Sequence, residues 1–456
     1  MLRYLDKPGQ QFLVMLLIHQ QEEVDRDDVL EIARRLTECE RFKRAIVERG
    51  RWKVPSFEGA EVVLEDHVRM HDFTSLKEKE EYLDVYMSKL AELRGEDFDE
   101  GKPLWRIDVI TPGLRGGSTC IFQFHHCLSD GMGLVLFAVK NIVDKDPLLV
   151  EEISDRVDSI VRKRRGGSLG TRLLRGLHYF ESYMYALGSV FTHLVIPDAS
   201  MPSSPFRGKH VDSNKWSMAW SDPIPFAGVK NVSAQLNCTV NQCFLGALGG
   251  AVRSYMIQEG FPTDGRVNFA MSVFSNSSVN MSSSKICNNV AFPVYALGVH
   301  IEDTEQRIQY LQGHTKRLHR GGHAAMVKHG LKCCGLLPRE TAVPVFNGLC
   351  RGTSLAISNV HGPVTQLSVL DNPVNQIEAI IPCGGGMGVT MSFLTYRGSI
   401  GITSSGTGLS PSGHKLLVAL LSEEFKLLTG RRRQRAPGNG LRLPLVVDET
   451  AHRSFN

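Results

Sequence analysis

The sequence predicts an α/β (α+β) protein made of two domains, with a ligand-binding cleft between them. Its 456 residues exceed the usual length of a single domain. Both halves of the chain mix β-prone apolar runs with segments of helical periodicity. Between the halves, residues 197–209 read PDASMPSSPFRGK, a composition typical of an interdomain linker. Clefts between two such domains are a common place for a ligand.

These shifts of composition set the predicted boundaries. We expect an N-terminal domain at 1–150, a linker at 151–215 with a candidate membrane-facing helix, a C-terminal domain at 216–430, and a basic, disordered tail at 431–456. The run GRRRQR at Gly430–Arg435 is interpreted as a solvated tail, and the alternative is weak contact with anionic lipid headgroups.

Composition limits the classes of function. Hydrophobic residues make up 42% of the chain and charged residues 22%, as in globular proteins. A net charge of +4 is too small to indicate a nucleic-acid partner. The ten cysteines form no CxxC pair, which favours free thiols in a reducing compartment over disulfides or a zinc site. No apolar run reaches the ~18 residues of a membrane span, but Met184–Pro197 is apolar enough to lie on a bilayer.

The first half is predicted to alternate strands and helices. In chain order, we expect a buried strand at Phe12–Ile18, a helix at Asp25–Val47, extended chain at the start of Glu61–Phe73, a helix at Ser75–Leu93, and two strands at 104–110 and 118–124. The first helix is expected to be capped by Asp27 or Asp28 and the second by Ser75. The second half repeats such a mixture and ends in two strands and a helix, GVTMSFLTYRGSIGITSS followed by SGHKLLVALLSEEFKLL.

The segment TCIFQFHHCLSDGMG contains the candidate catalytic residues. A β-prone run delivers His125 and His126 at its end, and Asp130 and Gly131 follow. An imidazole has an unperturbed pKa of ~6.5, so His126 can accept and return a proton near neutral pH. Asp130 is expected to fix the loop through an ion pair or backbone N–H groups, and Gly131 to allow a conformation that a side chain would resist.

The residues around His126 also leave room for roles other than that of a base. His126 could be a satisfied core histidine. A metal site could use His126 and Asp130, or His67 and His71, but on an extended chain the latter two lie about 13 Å apart. No GxSxG string follows a β-prone run, as a nucleophile elbow requires, and the sequence has no GxxxxGK[ST] phosphate loop. A histidine base without a protein nucleophile suits direct acyl transfer from a thioester, with a preorganised donor for the oxyanion.

The HHxxxDG string resembles the hallmark of the CoA-dependent acyltransferase superfamily. More narrowly, the chain resembles the wax ester synthase/diacylglycerol acyltransferase family. The PLW motif at Pro103, Leu104 and Trp105 precedes the histidines, and the later matches are NCTVNQCFLGALGGAVRSYM, KICNNVAFPVYAL, ISNVHGP and GGGMGVTMSFLTYRGSIGI. This resemblance implies two chloramphenicol-acetyltransferase-like domains, each a mixed sheet with helices, and an active-site tunnel between them.

The resemblance also implies roles for individual residues. His126 corresponds to the catalytic base, His125 to the supporting histidine, and Asp130 and Gly131 to the structural pair of the motif. Candidates for substrate binding or oxyanion stabilisation are Asn241, Asn288, Ser358 and Asn359. The PLW residues are interpreted as packing. Two positions depart from the family pattern, Gln242 in place of aspartate and His361 in place of proline.

We therefore expect an O-acyltransferase that moves a long-chain acyl group from acyl-CoA to diacylglycerol or a long-chain fatty alcohol. No metal or other cofactor is expected beyond acyl-CoA as co-substrate. Peripheral contact with a membrane or lipid-droplet surface is expected, on the cytosolic side of the endoplasmic reticulum or a lipid droplet in a eukaryote. The alternatives are transfer to a different alcohol, and a non-catalytic protein that binds acyl-CoA or lipid.

Overall fold

A computed structural model describes residues 2–6, 11–49, 54–155, 169–195, 206, 216–264, 267–271, 273–274, 288, 290–318, 322–350, 353–382, 384 and 387–430. Two large mixed sheets with helices packed on them form the molecule, as the α/β pattern predicts. The strands are β1 Leu13–Gln20, β2 Arg44–Arg49, β3 Val54–Gly59, β4 Val68–Asp72, β5 Trp105–Thr111, β6 Thr119–His125, β7 Ser217–Trp220, β8 Ile224–Pro225, β9 Asn268–Met271, β10 Val273–Phe274, β11 Val290–Ala291, β12 Val294–Ala296, β13 Thr353–His361, β14 Ser368–Val369, β15 Asn372–Ile380, β16 Val389–Tyr396 and β17 Ser399–Gly406.

The helices pack on the two sheets and between them. They are α1 Arg26–Leu36, α2 Lys79–Gly95, α3 Gly131–Asn141, α4 Leu169–Val195, α5 Phe226–Gln235, α6 Val240–Gln258, α7 Thr304–Leu318, α8 Gly322–Cys334, α9 Arg339–Leu349 and α10 Pro411–Gly430, with short 3-10 turns at Leu2–Leu5, Glu40–Lys43 and Leu64–His67. None of the described helices is long and apolar enough to cross a bilayer.

The first sheet has the strand order β14-β15-β1-β6-β5-β4. Its central strands β1, β5 and β6 are buried along almost their whole length, and buried polar side chains such as Asp108 and Gln123 lie among their apolar residues. The continuous apolar run at Phe12–Ile18 therefore forms a buried strand, as predicted. Strands β14 and β15 come from the range 216–430 but pair in this sheet, with Met15 opposite Ile380. The C-terminal half thus contributes an edge to the N-terminal sheet.

The second sheet has the order β12-β9-β13-β16-β17-β7, and β8 also pairs with β17. One face packs on α5, α6 and α10 through a core that includes Phe244, Phe393 and Phe425. The strand–strand–helix ending predicted for the second half is present as β16, β17 and α10. The opposite face of this sheet looks toward the first sheet, since Met218 of β7 belongs to the core of the first sheet.

Three local predictions in the first half are wrong. The helix predicted at Asp25–Val47 ends at Leu36, and the chain then forms β2, which pairs with β3. Its cap is Asp25, whose side chain accepts from the Asp28 amide, and not Asp27 or Asp28. Ser75 caps nothing, because the Leu76 amide turns back to the Phe73 carbonyl and α2 starts only at Lys79.

The stretch Glu61–Phe73 also differs from its prediction. The sequence predicts extended chain at its start, where Val63 has an extended backbone but no strand forms; a 3-10 turn then occupies Leu64–His67, and the strand lies at the end of the stretch, in β4. The predicted disordered tail at 431–456, most of GRRRQR and the linker residues 156–168, 196–205 and 207–215 lie outside the described residues.

Candidate active site

His126 lies at the first turn after β6, where the strand leaves the buried sheet. Its backbone N–H donates to the Phe12 carbonyl at 2.8 Å, so the end of β6 is tied to the start of β1. The chain then turns through residues 127–130 and enters α3. This geometry directs the histidine side chain into the space between the two sheets, where it lines a cavity.

The hydrogen bonds of His126 fix its tautomer. Nδ1 lies 3.1 Å from the Ser129 carbonyl oxygen. A carbonyl only accepts hydrogen bonds, so Nδ1 carries the proton and Nε2 keeps its lone pair. The Asn288 side-chain amide donates to the His126 carbonyl. It also lies 3.2 Å from Nδ1, but it cannot donate to a protonated nitrogen.

The surroundings keep His126 neutral. Burial lowers the pKa of its imidazole to about 4, although the hydrogen bond to the Ser129 carbonyl acts in the opposite direction. His126 is only partly buried as a residue, and it lines the cavity between the two halves of the chain. A neutral imidazole with a free Nε2 is the form that accepts a proton.

His125 is fully buried and makes a different set of bonds. Its Nε2 lies 3.1 Å from both carboxylate oxygens of Asp6, and its Nδ1 accepts from the Cys127 amide. Burial raises the pKa of Asp6, but hydrogen bonds from His125, Arg3 and the Phe12 amide outweigh it, so the pKa lies below its ordinary value. His125 therefore anchors the start of the chain and does not line the cavity.

Asp130 is the N-cap of α3. Its Oδ1 accepts from the Gly133 amide at 2.7 Å, and its side chain is buried. It thus holds the loop through a backbone N–H group. Gly131 has no positive φ, so the predicted conformational reason is wrong. A Cβ on Gly131 would instead lie 3.3 Å from Cγ2 of Val360 in β13, a close approach between α3 and the second sheet.

The PLW residues pack beside the histidines. The Trp105 indole is fully buried, donates from Nε1 to the Phe42 carbonyl at 2.8 Å, and stacks on His67. The Leu104 carbonyl accepts from the His125 amide at 2.9 Å. These contacts agree with a packing role. His67 also donates from Nδ1 to the Trp105 carbonyl, while His71 bonds Asp108, so the two histidines have separate partners.

The cavity beside His126 has a volume of about 320 Å³. Both halves of the chain line it: Phe12 and His126 from the first, Ser358 and Met387 from the second. Helices α8 and α9 close one side. The remaining lining is mostly apolar: Leu2, Asn268, Ala270, Phe292, Val294, Tyr295, Ala296, Met326, Val327, Gly330, Leu331, Phe346, Cys350, Ala356, Ile357, Ile381, Pro382 and Gly384. Such a space suits an aliphatic chain.

The four polar candidates of the second half separate into two groups. Ser358 lines the cavity together with His126, and Asn288 bonds His126 itself. Asn359 follows Ser358 and therefore points to the opposite face of β13. There its amide donates to Oδ1 of Asn241 in α6. This arrangement favours a link between β13 and α6 over direct contact of Asn241 and Asn359 with substrate.

The two departures from the family pattern also have local partners. Gln242 forms a capping box with Thr239 at the start of α6, and its Nε2 donates to Thr315 of α7 at 2.9 Å. His361 ends β13 and lies 3.3 Å from the Thr395 hydroxyl. Neither residue lines the cavity.

Two residues at the site were not predicted. Asp6 stands alone in the segment RYLDKPG, and no local pattern marks an acid that bonds a histidine 119 residues away. Ser129 contributes only its backbone carbonyl, which any residue could supply. The spacing of the motif could have indicated this bond. A tight turn directly after a strand brings a backbone carbonyl back toward the last residues of the strand.

Two family models match most of the chain. The wax ester synthase/diacylglycerol acyltransferase catalytic domain matches residues 15–244, and the WS/DGAT C-terminal domain matches residues 286–429. Among curated proteins, the chain is 24% identical over 428 residues to wax ester synthase/diacylglycerol acyltransferase 11 of Arabidopsis thaliana, with 84% of each chain covered. It is 23% identical over 327 residues to the probable diacylglycerol O-acyltransferase tgs1 of Mycobacterium tuberculosis, covering 69% of this chain and 68% of the relative.

Solved structures share the fold. A wax ester synthase/diacylglycerol acyltransferase from Marinobacter aquaeolei VT8 is 14% identical, with a TM-score of 0.57 and coverage of 94% of this chain and 97% of that one. The first condensation domain of the CDA synthetase is 13% identical, with a TM-score of 0.62 and coverage of 94% and 93%. These likenesses confirm the predicted fold class of two chloramphenicol-acetyltransferase-like domains. Because the catalytic-domain model alone matches half of the chain, the chain belongs to the wax ester synthase/diacylglycerol acyltransferase family.

Proposed function

We propose that His126 is the general base with which this enzyme transfers a long-chain acyl group from acyl-CoA to the hydroxyl group of diacylglycerol or a long-chain fatty alcohol. As a member of its family, the chain is an acyl-CoA-dependent O-acyltransferase whose products are triacylglycerol or wax ester. The observation that carries the proposed role is the tautomer of His126, which leaves the Nε2 lone pair available beside an apolar cavity.

The reaction requires one proton to move twice. Nε2 of His126 takes the proton of the acceptor hydroxyl while the oxygen attacks the thioester carbonyl. The tetrahedral intermediate carries an oxyanion, for which the Ser358 hydroxyl at the cavity wall is the candidate donor. When the C–S bond breaks, the imidazolium returns the proton to the CoA thiolate. The ester and free CoA leave, and His126 is neutral again.

The test uses purified protein with labelled palmitoyl-CoA, offered either diacylglycerol or hexadecanol, and resolves the lipid products. His126→Ala should lose about 10²- to 10⁴-fold in turnover while its melting temperature stays near that of the wild type. Ser358→Ala should lose about 10²-fold. Near-normal turnover in a folded His126→Ala protein would reject the base. The ratio of the two products gives the acceptor preference.

We also propose that the chemistry needs no metal, because the proton transfers above involve only His126 and the two substrates. Activity should survive excess EDTA. A loss of activity that added zinc or magnesium restores would reject this part of the proposal. The localisation we propose is peripheral, on the cytosolic side of a lipid membrane or on a lipid droplet, since both proposed acceptors are insoluble in water.

A further inference from the structure

One helix of the described chain carries an unusual exposed surface. In α4, seven large apolar side chains are between 46% and 69% exposed, and five of them recur at helical spacing: Leu173, Leu177, Phe180, Met184 and Leu187. Their spacing alternates between four and three residues, which places them on one face of the helix. We call this face the α4 stripe. Over 14 residues at 1.5 Å each, it is about 21 Å long.

The other side of α4 is anchored. Ser182 and Ala186 are buried there, the Tyr183 ring contacts His329 of α8, and α4 packs against both α8 and α9. The helix is therefore held on the body of the protein, with the stripe turned outward. Lone exposed apolar residues are common on proteins, but a continuous row of this size marks an interaction surface.

The position of α4 connects this surface with the cavity. Helix α8 contributes Met326, Val327 and Leu331 to the cavity wall, and α9 contributes Phe346. The same two helices support α4. The stripe is therefore separated from the cavity by α4 itself and by α8 and α9, and a lipid surface that covers the stripe lies on the same side of the molecule as this cavity wall.

Charge favours a lipid surface over a second protein. The sequence of α4 contains two arginines, Arg172 and Arg175, near its start, and one acidic residue, Glu181. An amphipathic helix with basic residues and large apolar side chains is typical of interfacial attachment. Among the described helices, α4 included, none is long and apolar enough to span a bilayer.

We propose that the α4 stripe docks on a phospholipid surface that contains anionic lipids and holds the α8–α9 side of the cavity against it. This inference rests on the proposed function, because an insoluble acceptor is found at a lipid surface. The proposal moves the expected membrane contact toward the start of α4. The exposed apolar face begins at Leu173, ahead of the segment Met184–Pro197. The other apolar run, Phe12–Ile18, lies mostly buried in the first sheet.

The test compares two double variants of the full chain. Leu177→Gln/Phe180→Gln removes the centre of the stripe and keeps helix-forming residues. Leu148→Gln/Ile257→Gln is the matched control, since those two side chains are also more than half exposed but lie elsewhere. Flotation with phosphatidylcholine vesicles, with or without phosphatidylserine, measures binding. Circular dichroism checks folding, and turnover of butyryl-CoA with a short-chain alcohol measures chemistry without a lipid surface.

The stripe variant should bind vesicles at least about 10-fold more weakly, because each lost side chain buries less apolar area. The control should bind like the wild type, and phosphatidylserine should strengthen binding of both. Turnover of the soluble substrates should stay within about twofold in all three proteins. Equal flotation of the stripe variant and the wild type would overturn the proposal. So would a wild-type dimer in solution that the stripe variant converts to a monomer, since a second copy would then cover the face.

The outcomes also separate the two proposals. Vesicle binding that depends on the stripe, without any acyl transfer by the wild type, would reject the proposed function and leave the docking surface standing. Acyl transfer by a wild-type protein that does not bind vesicles would reject the docking surface alone.

Discussion

The side-chain amide of Asn288 donates a hydrogen bond to the backbone carbonyl of His126, although 162 residues separate the two. Asn288 belongs to the C-terminal half, and His126 directly follows β6 of the N-terminal sheet. The bond therefore joins the two halves at the residue proposed to move the proton. Resemblance to the family made Asn288 a candidate for contact with substrate, whereas its observed partner is His126.

The first prediction follows from this bond. Asn288→Ala should lower kcat about 10- to 100-fold with little change in KM, because a base that is displaced by a fraction of an ångström transfers protons less well. Steady-state kinetics measure this effect. The control is Asn372→Ala, whose amide bonds the Glu22 carbonyl far from the cavity. An unchanged kcat in Asn288→Ala would show that the bond does not position His126.

A second prediction concerns pH. Burial lowers the pKa of His126 to about 4, and only the neutral imidazole accepts a proton. The acidic limb of kcat/KM should therefore lie clearly below the ordinary histidine value of ~6.5, and activity should be flat between about pH 6 and 8. In Asn288→Asp, a carboxylate near Nδ1 favours the imidazolium, so the limb should move to higher pH. A wild-type limb at or above pH 6.5 would contradict this account.

The third prediction concerns Asp130. Its carboxylate caps α3 through the Gly133 amide, so Asp130→Ala should lower the free energy of unfolding by about 1 kcal/mol or more. Asparagine is an equally good cap, and Asp130→Asn should lose less. Chemical denaturation of the two variants measures the difference. Equal losses would mean that the negative charge matters more than the cap.

Much of this architecture could be predicted from local sequence. The continuous apolar run in β1 indicates a buried strand, the β-prone segments at β5 and β6 indicate two more, and HHxxxDG marks the end of β6. Long-range pairing could not be predicted. The helical pattern continues past Leu36 in the sequence, but Arg44–Arg49 forms the strand β2. This strand pairs with β3, a contact that local sequence does not show. Likewise, nothing local in β15 indicates that it joins the first sheet beside β1.

The site shows the same limit. His126 could be identified because its chemistry is concentrated in seven adjacent residues. Ser358 and Asn359 are neighbours in β13, so their side chains point to opposite faces of the sheet. Which of the two faces the cavity could be seen only from the strand register, which places Asn359 beside the core residue Phe393. The role of Asp6 depended on a fold that brings the first residues of the chain under the end of β6.

The fourth prediction concerns the departure at Gln242. Its amide bonds Thr315 and caps α6 away from the cavity. Gln242→Asp restores the family residue but loses the bond to α7, so we expect a loss of about 1 kcal/mol in stability. Turnover and the ratio of triacylglycerol to wax ester should stay near the wild-type values. A changed product ratio would indicate that this position acts on acceptor choice.

The last prediction concerns Asp6, which accepts hydrogen bonds from His125, Arg3 and the Phe12 amide. Asp6→Asn should cost about 1–3 kcal/mol in stability. The amide has no charge and only one acceptor oxygen, so the buried donors that bond the Asp6 carboxylate lose part of their hydrogen bonding. The variant should also turn over more slowly. Asp6 accepts from the Phe12 amide, and the Phe12 carbonyl accepts from the His126 amide, so a shift of Phe12 would displace His126. Asp27→Asn, a change at an exposed carboxylate in the first turn of α1, is the control.

The pH dependence of stability tests the same contact. The pKa of Asp6 is lowered in the folded protein, so its contribution is fully present above the unfolded value of ~3.9 and is lost as pH falls through the folded pKa. The melting temperature of the wild type should therefore fall more steeply on acidification below about pH 4 than that of Asp6→Asn. Parallel curves for the two proteins would mean that the Asp6 carboxylate is not charged beside His125 in the native state.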